Sequence, residues 1–241
     1  MYFRAVTTIT PGTIWLLANT ALPAAALGTA ALLGLAGAGA CAIVAAVKWI
    51  LVGIYRPRVE PLWSTFVRRT ELVTGLYENV VVPALLLHLA GTPFAPVIMR
   101  ILGAKVGRRC YIETTFMTEF DLVSIGDDCN ICFASSLQTH LFEDRVMKMS
   151  RLNIGNGCSV GPRAVILYDS RLEDRVRLHA LSLVMKGETL PEGTEWCGSP
   201  AGRYGVFTVP EETGDRKNVH TVIFRKNRND MTQRTEKQRA A

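Results

Sequence analysis

An imidazole is the side chain best suited to taking up a proton near neutral pH. In this sequence His140 stands where a regular pattern breaks off, within the run LQTHLFEDRVMK from Leu137 to Lys148. A base at that point can remove the proton from an amine nitrogen as the nitrogen attacks an acyl carbon. Glu119, Asp121, Glu143 and Asp144 suit either of two tasks. They can orient the second ring nitrogen, or they can recognise a cationic acceptor such as the ammonium groups of lysine, because carboxylates beside a site favour positive charge. Arg145 and Lys148 have the donors to hold the phosphate of a phosphopantetheine arm. Each residue has a plainer reading as well, the histidine as a loop residue bonded to backbone and the charges as a solvated surface.

The pattern that His140 interrupts has a period of six. Ile154, Val160, Ile166, Leu172, Leu178 and Val184 fall in strict register. Four residues after the first five come the small or modest side chains Cys158, Ala164, Ser170, Val176 and Ser182. Upstream the register reappears at Val106 and Ile112 and, after a phase break, at Ile125, Ile131 and Leu137. A helix repeats every ~3.6 residues and a simple strand every ~2, so neither explains a period of six. A coil with three short flat faces does, with one large residue per face pointing into a narrow prism and ~18 residues closing each turn. The expected fold is therefore all-β, a left-handed parallel β-helix over residues 104–205, stabilised by stacking of neighbouring coils. Within it Cys129 is an inward small residue, so the lone CxxC of Cys129 and Cys132 does not read as a zinc site. His179 falls at a corner and reads as structural. Two histidines in the repeat region are too few for a catalytic zinc held by three, and no metal is expected.

An apolar stretch precedes the repeat. From Ile14 to Tyr55 the one formal charge is Lys48, and the stretch is about twice the ~20 residues that one helix needs to cross a bilayer. Gly34, Gly37 and Gly39 cluster where a turn can join two spans, near 13–34 and 38–55. The expectation is thus an α-helical transmembrane hairpin over 1–56, with no cleavable signal. Arg4 before it and Arg56, Arg58, Arg68 and Arg69 after it place both ends and the β-helix in the cytoplasm, at the cytoplasmic membrane. Residues 57–103 read as an amphipathic helical connector that Pro83, Pro93 and Pro96 divide into short pieces. It is expected to cover one open end of the prism. The net charge of +6 is matched by the part of the polar basic tail, 206–241, that runs from Arg216 to the end, with eight basic and two acidic residues. Nucleic acid is therefore not an expected partner.

The repeat resembles the hexapeptide-repeat acyltransferases. Ile101 to Gly107, Tyr111-Ile112-Glu113 and Ser124 to Asp127 are similar to the opening coils of the maltose and galactoside acetyltransferase group. In that group a catalytic histidine starts an excursion from the coil, and His140 matches it. The segments Ser182 to Lys186 and Trp196 to Ala201 resemble the stretch that lines the coenzyme A pantetheine, which implies thioester-binding roles for Ser182 and Lys186. The family usually has Thr where Met185 stands. A resemblance of wider reach, through Trp63 to Phe66, Arg69 to Leu72, Thr118 to Leu122 and Leu137 to Lys148, is to the C-terminal part of poly-ε-lysine-synthetase-type nonribosomal peptide synthetases. It implies amide-bond formation from an aminoacyl thioester, on a carrier protein or coenzyme A, to an amine acceptor. The resemblance also implies a homotrimer or a pseudo-trimer with similar domains. The alternatives are a non-catalytic docking module of a synthetase and a stand-alone acetyl-coenzyme-A-dependent acetyltransferase.

Overall fold

Aliphatic residues spaced six apart bury their side chains in one column only if the backbone turns after every short strand, and most corners here do so with a left-handed residue. The computed structural model describes residues 22–204. Three residues beyond successive inward aliphatics lie Arg109, Asp128, Ala134, Arg163, Asp169, Arg175 and Leu181, all with positive φ between 53° and 63°. The two- and three-residue strands between corners form three parallel sheets. One face stacks Lys105–Val106, Val123–Ile125, Leu152–Ile154, Arg171–Leu172 and Thr189–Leu190. A second stacks Tyr111–Ile112, Asn130–Ile131, Ser159–Val160, Arg177–Leu178 and Glu195–Cys197, and a third stacks Phe116–Met117, Ser136–Leu137, Val165–Ile166 and Leu183–Val184.

Ile112, Ile131, Val160, Ile166 and Val184 are fully buried in this prism, each burial stabilising by ~1.5–3 kcal/mol. The close stacking leaves no room for a side chain at some corners. A Cβ on Gly155 would sit 2.8 Å from the backbone nitrogen of Asp174 in the next coil. Cys129 is buried and donates its thiol to the Gly155 carbonyl at 3.0 Å.

Helix α1 spans Leu22–Leu51 without interruption, which corrects the expected hairpin. The part of the first expected span before residue 22 lies outside the described residues, as does the tail. Gly34, Gly37 and Gly39 lie inside α1, because glycine in a helix weakens it only modestly and its missing side chain admits a neighbour. A Cβ on Gly37 would come 2.8 Å from the Ala84 carbonyl oxygen. The neighbour is a second helical rod. Helix α2, Thr65–Leu76, is capped by the Ser64 hydroxyl, which accepts from the Val67 amide. It continues through a π-helical stretch, Tyr77–Leu86, into a last turn at Leu87–Leu89. Pro83 therefore does not divide the connector: the wide π-turn absorbs its missing N–H. Ala26–Leu51 and Thr65–Leu89 are both long and apolar enough to cross a bilayer.

Helix α3, Ala95–Leu102, has Pro96 in its first turn. It buries Met99 and Leu102 in the same cluster as Ile112, Ile125 and Ile131, so the connector does cover the open end of the prism.

Candidate active site

On the third face Met117 pairs with Leu137 and Phe116 with Ser136. The chain leaves the prism just after both strands, at the same corner of consecutive coils, so two excursions meet there. The first is a short 3₁₀ turn, Phe120–Leu122, introduced by Glu119. The second is a hairpin of His140–Glu143 and Val146–Met149. Asp144 and Arg145 make its two-residue turn, both left-handed with φ of 53° and 62°. Strand Arg58–Pro61 adds antiparallel to the hairpin's outer strand, and the Leu62 amide donates to the Arg145 carbonyl at 3.0 Å. Met147, Met149, Leu122, Tyr55 and Val67 form a small second core beneath it.

Pairing of Met117 with Leu137 sets Glu119 beside Thr139 and within reach of His140. His140 Nδ1 lies 2.8 Å from Glu119 Oε2. The same oxygen accepts from the hydroxyls of Thr139 at 2.5 Å and Thr118 at 2.8 Å. Glu119 is entirely buried, whereas the His140 side chain keeps 19 % of its surface exposed. Burial alone would push the Glu119 carboxyl up, but the His140 imidazole and the two threonine hydroxyls hold it below the ordinary carboxylate value. Burial likewise works against a charged His140, and the hydrogen bond and charge of Glu119 outweigh it and hold the imidazole above its ordinary value. With Nδ1 held by the carboxylate, Nε2 is the nitrogen left to face a substrate. Phe142 sets its ring edge-on at 5.2 Å between centroids and limits how the imidazole can turn.

Each of the four carboxylates suggested for an acceptor has a partner within the chain. Glu119 has no exposed surface and serves His140 instead. Asp121 accepts from the Tyr55 amide at 3.1 Å and lies 2.6 Å from the ammonium of Lys48, itself completely buried at the end of α1. Glu143 bridges Lys186, at 2.7 Å, and Lys148, at 3.2 Å. Asp144 is exposed at the hairpin tip and touches Lys148 at 3.3 Å. Of the residues suggested for the thioester, Lys148 and Lys186 thus share one carboxylate, Glu143. Arg145 occupies the turn, and the Ser182 hydroxyl points to its own chain, 3.4 Å from the Ala180 carbonyl. His179 is a corner residue 3.4 Å from Glu195. The roles of Thr118, and of Lys48 as partner to Asp121, escape a reading by hexads, because the phase break after Ile112 conceals that Met117 fills the third face.

No family model matches the chain. It is 48 % identical over 165 residues to a delta-poly-L-ornithine synthetase of Acinetobacter baumannii (strain AB307-0294), covering 68 % of this chain. The chain spans 12 % of the length of that curated relative. Among solved structures, a galactoside acetyltransferase in complex with coenzyme A aligns with a TM-score of 0.41 and 19 % identity, covering 54 % of this chain and 82 % of that one. A maltose O-acetyltransferase from Clostridium difficile 630 aligns with a TM-score of 0.38 and 15 % identity, covering 61 % and 91 %. A serine acetyltransferase from Neisseria gonorrhoeae aligns with a TM-score of 0.41 and 16 % identity, covering 72 % and 56 %. By this sequence match the chain is similar, over 68 % of its length, to one segment of a delta-poly-L-ornithine synthetase, and its hexad repeats fold as stacked coils of parallel strands.

Proposed function

We propose that the chain is an acyl or aminoacyl transferase domain that forms an amide bond from a thioester donor, on coenzyme A or a carrier's phosphopantetheine, as part of a nonribosomal synthetase or a relative of one. The observation that carries this reading is the His140–Glu119 pair, an exposed-edge imidazole held at 2.8 Å by a fully buried carboxylate. In the proposed step the acceptor's amine nitrogen attacks the thioester carbon. His140 Nε2 removes the proton that the nitrogen sheds, and Glu119 stabilises the imidazolium that results. The C–S bond breaks as the tetrahedral adduct collapses, and the proton passes to the departing thiolate sulfur. A thioester is already activated, so positioning and one base suffice without a covalent enzyme intermediate. The prism is read as left-handed, and active sites are read between neighbouring prisms of a homotrimer or pseudo-trimer.

The domain is proposed to be anchored in the cytoplasmic membrane, with the β-helix facing the cytoplasm. Exposed Leu27, Leu35, Ile43 and Ile50 along α1 support this, since such a face is costly in water. The second reading is a docking module without turnover, favoured by the mutual pairing of Glu143, Lys148 and Lys186.

The test is intact-mass detection of amide product from an aminoacyl-pantetheine thioester and free lysine, with the full chain in detergent and His140→Ala in parallel. Product from the wild type that falls ~10²–10⁴-fold in the variant is the expected result. Equal product from both removes His140 from the chemistry. No product from either, with no thermal stabilisation by coenzyme A or pantetheine, favours the docking module.

A further inference from the structure

We infer that the cleft between the end of α1 and the first coils of the prism is a binding site for the phosphate of an anionic phospholipid head group. This inference rests on the membrane anchoring proposed above. The cleft has a volume of about 780 Å³, and Arg56, Lys105 and Arg151 line it. All three cations are exposed, and none makes an ion pair among the described residues. Asp121 is the one carboxylate in the lining, and Lys48 lies 2.6 Å from it. The floor is thus neutralised and the walls are left cationic, which suits an oxyanion. Ser124 and Asn153 add neutral hydrogen-bonding groups.

The flanks of the cleft select the source of that phosphate. Trp49 near the end of α1 and Ile54 just beyond it are exposed and line the cleft; α3, which leads directly into the lining residues Gly103 and Lys105, exposes Val97 and Ile101, with Phe94 at its cap, at helical spacing along one face. Both apolar flanks are suited to acyl chains at the edge of a bilayer, with the three cations at the depth of the head groups. A soluble phosphate would gain nothing from these flanks.

The full chain in neutral detergent is unfolded thermally with dihexanoyl-phosphatidylglycerol, with dihexanoyl-phosphatidylcholine, and with inorganic phosphate. Phosphatidylglycerol is expected to raise the midpoint by about 5 °C or more at saturation, phosphatidylcholine and inorganic phosphate much less. Arg56→Gln/Lys105→Gln/Arg151→Gln should abolish the difference, and Arg163→Gln/Arg177→Gln/Arg203→Gln, which removes three cations elsewhere, should keep it. An equal effect of both lipids, a full effect of phosphate alone, or a shift that survives in the first variant overturns the proposal. Partition of the wild type into phosphatidylcholine vesicles is measured separately. If the chain stays out of the vesicles, the anchoring reading falls, while the short-chain lipid still decides the cleft.

Discussion

Glu119 is the residue through which His140 acquires both its orientation and its basicity, and that dependence has a pH signature. The acidic limb of kcat/KM reports the free imidazole, and in the wild type it is expected above the ordinary histidine value because Glu119 holds it there. In Glu119→Gln the carboxylate's charge is gone and burial is opposed only by the weaker pull of Glu71, so the limb should move to lower pH while the plateau falls at least ~10-fold. A limb that stays in place would show that Glu119 only packs. The pair also links stability to pH. His140, raised on folding, contributes stability in full below its unfolded value of ~6.5 and loses it as pH climbs through its folded value. Glu119, lowered on folding, contributes above its unfolded value of ~4.3 and loses it as pH falls through its folded value. Unfolding by urea should therefore show the pair's contribution largest between about pH 4.3 and 6.5, and flat in the double variant Glu119→Gln/His140→Ala.

Strands and corners were legible in the sequence to the extent that a side chain's own spacing reports its place. Ile154 to Val184 mark the inward column because every sixth position must be large. The pairing of Glu119 with His140 was less legible: the step from Ile112 to Met117 is five residues, so Glu119 falls outside any register read by sixes. The glycines of α1 read as a turn because Gly is the usual turn residue, yet Gly37 serves close approach to Ala84. Lys48 gave no sign of its partner, since a buried ion pair joins residues far apart in the chain. Stacking makes its own prediction. Gly155→Ala brings a methyl group against backbone of the next coil that cannot rotate away, so it should cost ~1–3 kcal/mol in urea unfolding. Gly193→Ala, where the structure has open space around the site, should be limited to the ~1 kcal/mol of a left-handed alanine. Equal losses at the two glycines would contradict the tight coil contact.

For the molecule as a whole, α1, the connector and the prism are one mechanical unit. The Tyr55 amide and the Lys48 ammonium both reach Asp121, two residues from Glu119, and strand Arg58–Pro61 borders the hairpin that begins at His140. A prism cut free at residue 104 is expected to lose activity even with His140 and Glu119 intact, to be checked by assaying that fragment beside the full chain. Exposed Phe116, Phe133 and Leu181 leave apolar surface on the prism's outer side, and a detergent-corrected mass of three chains is expected. A monomer with full activity would refute the shared site.

The strand Arg58–Pro61 has a consequence for timing. Coils can zip up one on the next, each new strand finding a neighbour just made. The hairpin's outer strand must instead find a partner that left the ribosome long before it, just as the Tyr55 amide waits for an aspartate 66 residues later. Contacts so distant in sequence close slowly. Refolding watched by circular dichroism should therefore finish before activity returns, and a nascent chain should own a nearly complete prism well before it owns a working histidine.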